Sequence, residues 1–122
     1  MKRDIQLIRK ILLEIEAKSD GVETIEIHIE GYTDTPIQYH LALLSEAGLI
    51  LASGASSLQE LWLMPIRLTW EGHEFLDNAR NDTIWNKTLH DISEITESVA
   101  IPLLRELLAA ALRSQILPQL GL

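Results

Sequence analysis

His73, Glu74 and Asp77, in the run HEFLD, place two metal-capable side chains one helical turn apart with a glutamate beside the first. That is the beginning of a zincin-like site, where two ligands on one helix face hold zinc and an adjacent acid activates its water. The second histidine of that pattern is missing, nothing marks a third ligand, and Phe75 and Leu76 lie between. The run reads more simply as the start of an amphipathic helix. Trp70 and Trp85 have the faces to stack on bases, but no basic run accompanies them, so they read as core or interface anchors. His28, between Glu26 and Glu30, reads as a solvated strand face. His40, beside Leu41, reads as a polar helix-surface residue or a partner contact. The sequence shows no glycine-rich phosphate loop, Ser–His–Asp grouping or paired-carboxylate spacing. The chain is therefore read as non-enzymatic, with no catalytic residue, metal site or cofactor.

The elements that must position these residues are organised around 32–52. Asp34 or Thr35 suits a helix cap, and Pro36 suits the first turn, where its missing N–H is no loss. Ile37, Leu41 and Leu44 follow at the spacing of one buried face, and after Ala47 comes Gly48, the left-handed stop. Leu49, Ile50 and Leu51 then leave as a strand over 49–52. Ahead of this lies a helix over 4–17, with Ile5, Ile8, Ile11, Leu12 and Ile15 in one stripe and Ser19, Asp20 and Gly21 at its end. Leu7 and Leu13 sit off that stripe and either extend it or face a partner. Residues 24–30, TIEIHIE, alternate strictly and predict a half-buried strand.

Downstream, the small residues 53–57 predict a turn and 58–64 a return strand, which Pro65 makes an edge or breaks before Ile66 and Leu68. Thr69 caps a third helix that carries Phe75, Leu76 and Ala79 inward, and Gly72 near its start permits close approach to the hairpin. Asn81 and Asp82 interrupt the pattern before Trp85, Leu89, Ile92, Ile95 and Val99 resume it, so 69–99 is one helix or two. A last helix spans 101–117, with Pro102 tolerated in its first turn.

The resulting class is α+β, mainly helical. Helix, glycine and aliphatic hairpin in this order resemble the recognition-helix-plus-wing half of a winged helix. The helix-turn-helix is truncated, because only Gly31, Tyr32 and Thr33 separate the first strand from the organising helix. The expected core is 1–82, with a C-terminal helical extension over 83–122 packed on it as part of a single domain. A fold resemblance of this kind implies no activity.

Apolar residues make up 47% of the chain and aromatics 5%, so the core must be built from Leu, Ile and Ala. A mean hydropathy of +0.10 in so small a chain exceeds what one core hides, which predicts self-association. The helix over 101–117 is apolar over a wide arc, and Leu103, Leu107, Leu108 and Ala110 are its candidate homodimer interface. Without cysteine, neither disulfides nor thiolate metal sites are available, which fits a reducing cytoplasm. The basic start is interrupted by Glu14 and Glu16 and lacks the apolar core of a signal peptide, and no stretch reaches membrane-spanning length.

Three segments, MKRDIQLIRKILLEIE, IQYHLALLSEAGLI and LTWEGHEFLDNARNDTIWNKT at 68–88, look like a family of small bacterial and phage-encoded proteins catalogued as a domain of unknown function. The likeness covers nearly the whole chain. It implies a winged-helix-like fold, a home in phages and prophages, and no established activity or residue roles.

Two function classes follow. A phage transcriptional regulator would place 34–47 in the major groove, with Thr35, Gln38, Tyr39 and His40 towards bases, and 53–60 as a wing. Lys2, Arg3, Arg9 and Lys10 would then contact phosphate. The formal net charge of −8 opposes this, because affinity for DNA rests on basic side chains neutralising phosphates. The helix and wing offer no Lys or Arg and add Asp34, Glu46 and Glu60. The favoured expectation is therefore a winged-helix phage accessory protein acting through protein contacts, as an anti-defence or regulatory adaptor.

Overall fold

In the computed structural model, which describes residues 1–56 and 61–93, the first aliphatic stripe folds as helix α1, Ile5–Lys18. Asp4 precedes it with an extended backbone, and its Oδ1 accepts the Leu7 N–H at 3.1 Å, satisfying one of the donors a helix start leaves orphaned. The buried arc is Leu7, Ile8, Ile11, Leu12 and Ile15. Leu7 thus joins the core and Ile5 is only half-buried. At about 100° per residue these five positions share one side of the cylinder, with Ile5 at its margin. Ser19 ends α1 and donates its hydroxyl to the Ile66 carbonyl at 2.6 Å.

Residues 24–30 run extended with Ile27 and Ile29 buried and Glu26, His28 and Glu30 exposed, as their alternation predicts. They do not form a ladder strand. Their one recorded ladder bond among the described residues is Ile25 N–H to the Pro65 carbonyl, 2.8 Å. Ile29 to Tyr32 closes a turn through Gly31, whose φ of 87° is the left-handed value a type II turn needs at its third position.

Helix α2 spans Asp34–Glu46 and is preceded by Thr33, without a side-chain cap bond, so neither Asp34 nor Thr35 is the cap. It buries Ile37, Leu41 and Leu44, and also His40. Its end is a Schellman motif: Leu49 N–H reaches the Leu44 carbonyl at 3.0 Å and Gly48 N–H the Ser45 carbonyl at 3.1 Å, with Gly48 at φ 73°.

Strands β1, Ile50–Ser56, and β2, Leu61–Leu68, form the two-stranded antiparallel sheet. β1 runs past the expected 49–52, because Ser53 and Gly54 continue the ladder instead of turning, and β2 runs past the expected end at 64 to Leu68. The register passes from Leu51↔Arg67 to Ala52↔Pro65, which leaves Ile66 as the extra residue of a bulge beside the proline. Pro65 therefore marks an irregular edge without breaking β2. Of the expected turn at 53–57, residues 53–56 belong to β1; residue 57, the first three residues of the expected return strand and the expected helix at 101–117 lie outside the described residues. Helices α1 and α2 pack on the hairpin and on each other. The fully buried side chains of this part are aliphatic, apart from His40.

Thr69 joins hairpin to helix α3, Trp70–Ala79. Its hydroxyl donates to the Gly48 carbonyl at 2.6 Å and accepts the Gly72 N–H at 3.1 Å, while its own N–H bonds the Leu49 carbonyl at 3.0 Å. The chain divides into two compact units, Met1–Glu74 and Phe75–Leu122. In the second, helix α4 is Asp82–Ser93, so the described part of the 69–99 pattern, up to residue 93, is divided between two helices. Asn81 separates them, its Oδ1 capping the Ile84 N–H at 3.0 Å. Within this unit Phe75, Leu76, Ala79, Ile84 and Trp85 are buried, and the Phe75 ring meets Trp85 edge-on at 6.5 Å. The described architecture is α+β and mainly helical, four helices and one hairpin. No helix among the described residues is long and apolar enough to cross a membrane.

Candidate interaction site

The four residues expected on an exposed face of α2 separate into two pairs. Thr35 and Tyr39 are exposed. His40 is 1% exposed, and its imidazole bridges two elements. Nδ1 lies 2.7 Å from the Pro36 carbonyl, and Nε2 accepts the Asp4 N–H at 2.8 Å. A carbonyl demands a donor and an N–H demands an acceptor, so these contacts assign the neutral tautomer with its proton on Nδ1. Asp4 is thus held three ways: through its N–H by His40, through Oδ1 by the start of α1, and through Oδ2 by the Tyr32 hydroxyl at 3.1 Å. Burial pushes the Tyr32 phenol above its ordinary value, and the adjacent Asp4 carboxylate acts in the same direction. The hydroxyl consequently remains a donor at neutral pH.

Gln38 is the second residue drawn inward. Its Oε1 accepts the Leu63 N–H at 2.7 Å and its Nε2 donates to the Leu63 carbonyl at 3.1 Å. An amide that exchanges both bonds with one strand residue does what a neighbouring strand would do. The antiparallel rung after Ile25–Pro65 would pair Ile27 with Leu63, and Gln38 occupies that rung. This is why 24–30 leaves the sheet after one bond. Replacing Gln38 with alanine should lower stability by about 1 kcal/mol, since the strand edge stays reachable by water. Urea unfolding measures that loss, and amide exchange at Leu63 should accelerate with it.

Of the expected phosphate contacts, Lys2 and Lys10 are exposed and Arg3 and Arg9 half-buried. The Lys10 ammonium lies 5.6 Å from the centre of the Tyr32 ring, within cation–π range. An open depression of about 340 Å³ between α1 and residues 28–30 is lined by Lys10 together with Glu14 and Glu30, so it presents no single sign of charge.

The zinc-like run is engaged otherwise. Glu74 Oε1 accepts the Trp70 indole N–H at 3.0 Å, and Asp77 Oδ1 accepts from Arg80 at 3.1 Å. His73 is exposed, and among the described residues no three His, Cys, Asp or Glu side chains are grouped to hold a metal ion. The tryptophans separate as well: Trp85 is fully buried and Trp70 is 76% exposed. The expected interface residues Leu103, Leu107, Leu108 and Ala110 lie outside the described residues.

Where the extended segment diverges from β2 it leaves a groove of about 170 Å³. Ile27, Ile37, Trp62 and Met64 line it, with Glu26 and Asp34 also at its walls. Sequence reasoning misses this groove, as it misses the joining of Asp4 and Tyr32 to His40. Asp4 is legible as a cap ahead of an apolar run, but no local signal links positions 4, 32 and 40.

The chain belongs to a family described as "Hypothetical protein (DUF2513)", whose model matches residues 2–98. It is also similar to a protein of Haemophilus influenzae (strain ATCC 51907 / DSM 11121 / KW20 / Rd) that bears the name "Uncharacterized protein". The two are 38% identical over 118 residues, covering 96% of this chain and 99% of that protein. No solved structure matches.

Proposed function

We propose that this is a winged-helix-like module, non-enzymatic, that acts through contacts with another protein. The observation that carries this reading is the commitment of α2. In the DNA-reading use of such a helix, polar side chains at its surface meet base edges. Here the Gln38 amide is spent on Leu63 and the His40 ring on Asp4 and Pro36, which leaves Thr35 and Tyr39. The charge points the same way. Residues 19–66, which include α2, β1 and most of β2, hold seven acids and no Lys or Arg. A surface of that sign repels phosphate at a distance and favours a cationic partner.

The order helix, extended segment, helix, hairpin supports the winged-helix comparison. A phage or prophage setting, with an anti-defence or regulatory role in the cytoplasm, is proposed on the sequence resemblance. Homodimerisation is proposed on the apolar breadth of 101–117.

Titration with unrelated duplex DNA tests the choice between protein and DNA. Binding at physiological salt should be weak, with a dependence of log affinity on log salt no steeper than about −3.6 even if all of Lys2, Arg3, Arg9 and Lys10 engage phosphate. Submicromolar binding that is lost on replacing Arg9 and Lys10 with alanine would establish the regulator reading instead.

A further inference from the structure

We propose that the groove between residues 25–28 and 62–64 docks an extended peptide carrying lysine or arginine on either side of one aliphatic residue. The inference rests on the protein-contact reading and adds the place and the chemistry of the partner.

Size comes first. At about 170 Å³ the groove is smaller than the usual small-molecule site, which starts near ~300 Å³, and close to the ~150 Å³ of an apolar cavity that takes one benzene ring. It is a socket for a single side chain. Its apolar wall, Ile27, Ile37, Trp62 and Met64, selects an aliphatic one. Trp62 remains 47% exposed, so a visiting side chain would cover apolar surface that water now meets.

Conformation follows from the neighbouring backbone. Residues 24–30 are extended and contribute one ladder bond, from Ile25, among the described residues. Beyond that rung the Gln38 amide already holds Leu63, so an extended peptide laid over the groove follows the line of 25–28 through side-chain contacts and not as an added ladder strand. An extended peptide alternates its side chains between faces. With one side chain in the socket beside Ile27, the residues on either side of it project to the face that carries Glu26.

Charge then sets the flanking residues. Glu26 and Asp34 are both exposed and both at the groove. His28 lies near Glu26, with Nε2 3.8 Å from its Oε2. No Lys or Arg occurs between Lys18 and Arg67, so no basic residue of this stretch competes for the two carboxylates. Cations flanking the anchor complete the complementarity.

The test uses the whole protein, isotopically labelled, and a short capped peptide alternating lysine with leucine. Saturable shifts are expected at the amides of 25–28 and 62–64 and at the Trp62 indole. The matching glutamate–leucine peptide should leave these signals unmoved, and a lysine–leucine peptide with its leucines clustered at one end should bind more weakly. The double substitution E26K/D34K, at two exposed positions and with unchanged circular dichroism, should weaken binding about tenfold. Equal binding of acidic and basic peptides, shifts centred elsewhere, indifference to E26K/D34K, or no saturation up to millimolar peptide would each overturn the site. Duplex DNA titration judges the protein-contact reading separately, so the two ideas fail on different measurements.

Discussion

Replacing Gly72 with alanine should destabilise the protein by about 3 kcal/mol, against an expectation of about 1 kcal/mol gained if helix propensity alone decided. Gly72 is buried near the start of α3, and a methyl group there would overlap the Leu49 carbonyl oxygen. That oxygen belongs to the backbone and already accepts the Thr69 N–H at 3.0 Å, so it cannot retreat without straining the bond that joins hairpin to helix. Overpacking against an immovable atom lies at the upper end of its usual range, and the Thr69 bond weakens with it. The midpoint of thermal unfolding should fall by more than ~10 °C. Alanine at the adjacent, exposed His73 is the control and should change little. A stabilised Gly72→Ala protein would mean that α3 does not approach the hairpin this closely.

Replacing His40 with leucine should cost a further comparable amount, about 3 kcal/mol, although leucine suits a buried helix position. The loss comes mainly from the Asp4 N–H, left without an acceptor beside a residue that is 1% exposed, and in smaller part from the Pro36 carbonyl, which loses the ring as a second donor but keeps its place in the α2 ladder. Asp4 is also the cap of α1, so its release should appear as fraying of the first turn, visible as faster amide exchange at Leu7. Denaturant unfolding gives the free energy. The result bears on function as well as stability. A His40→Leu protein of full stability would place the imidazole at the surface and restore the base-reading face of α2, and with it the regulator reading.

Much of the described fold was legible in the chain, for local reasons. The apolar spacing in 4–17 and 34–47 and the glycine at 48 each act over a few residues, within the reach of helix periodicity and of a left-handed backbone stop. Thr69 as a cap and Gly72 as a point of close approach also follow from residue type and place. The alternation in 24–30 correctly separated inward from outward side chains. It could not say whether the backbone had a ladder partner. That depended on Gln38, a residue of another element, taking both polar groups of Leu63.

By itself, then, the sequence determined that 4–17 and 34–47 carry the first two helices, that each has one apolar face, where α2 stops, and that a long acidic stretch lacks basic side chains. Only the tertiary structure decided that Gln38 and His40 turn inward, that residues 24–30 run extended beside β2 without joining its ladder, and that this leaves a socket bounded by Glu26 and Asp34. The physical reason is the range of the forces involved. Periodicity and backbone preference are properties of neighbours along the chain. The hydrogen bond of a polar side chain to a backbone 25 or 36 residues away exists only once the core has brought the two together.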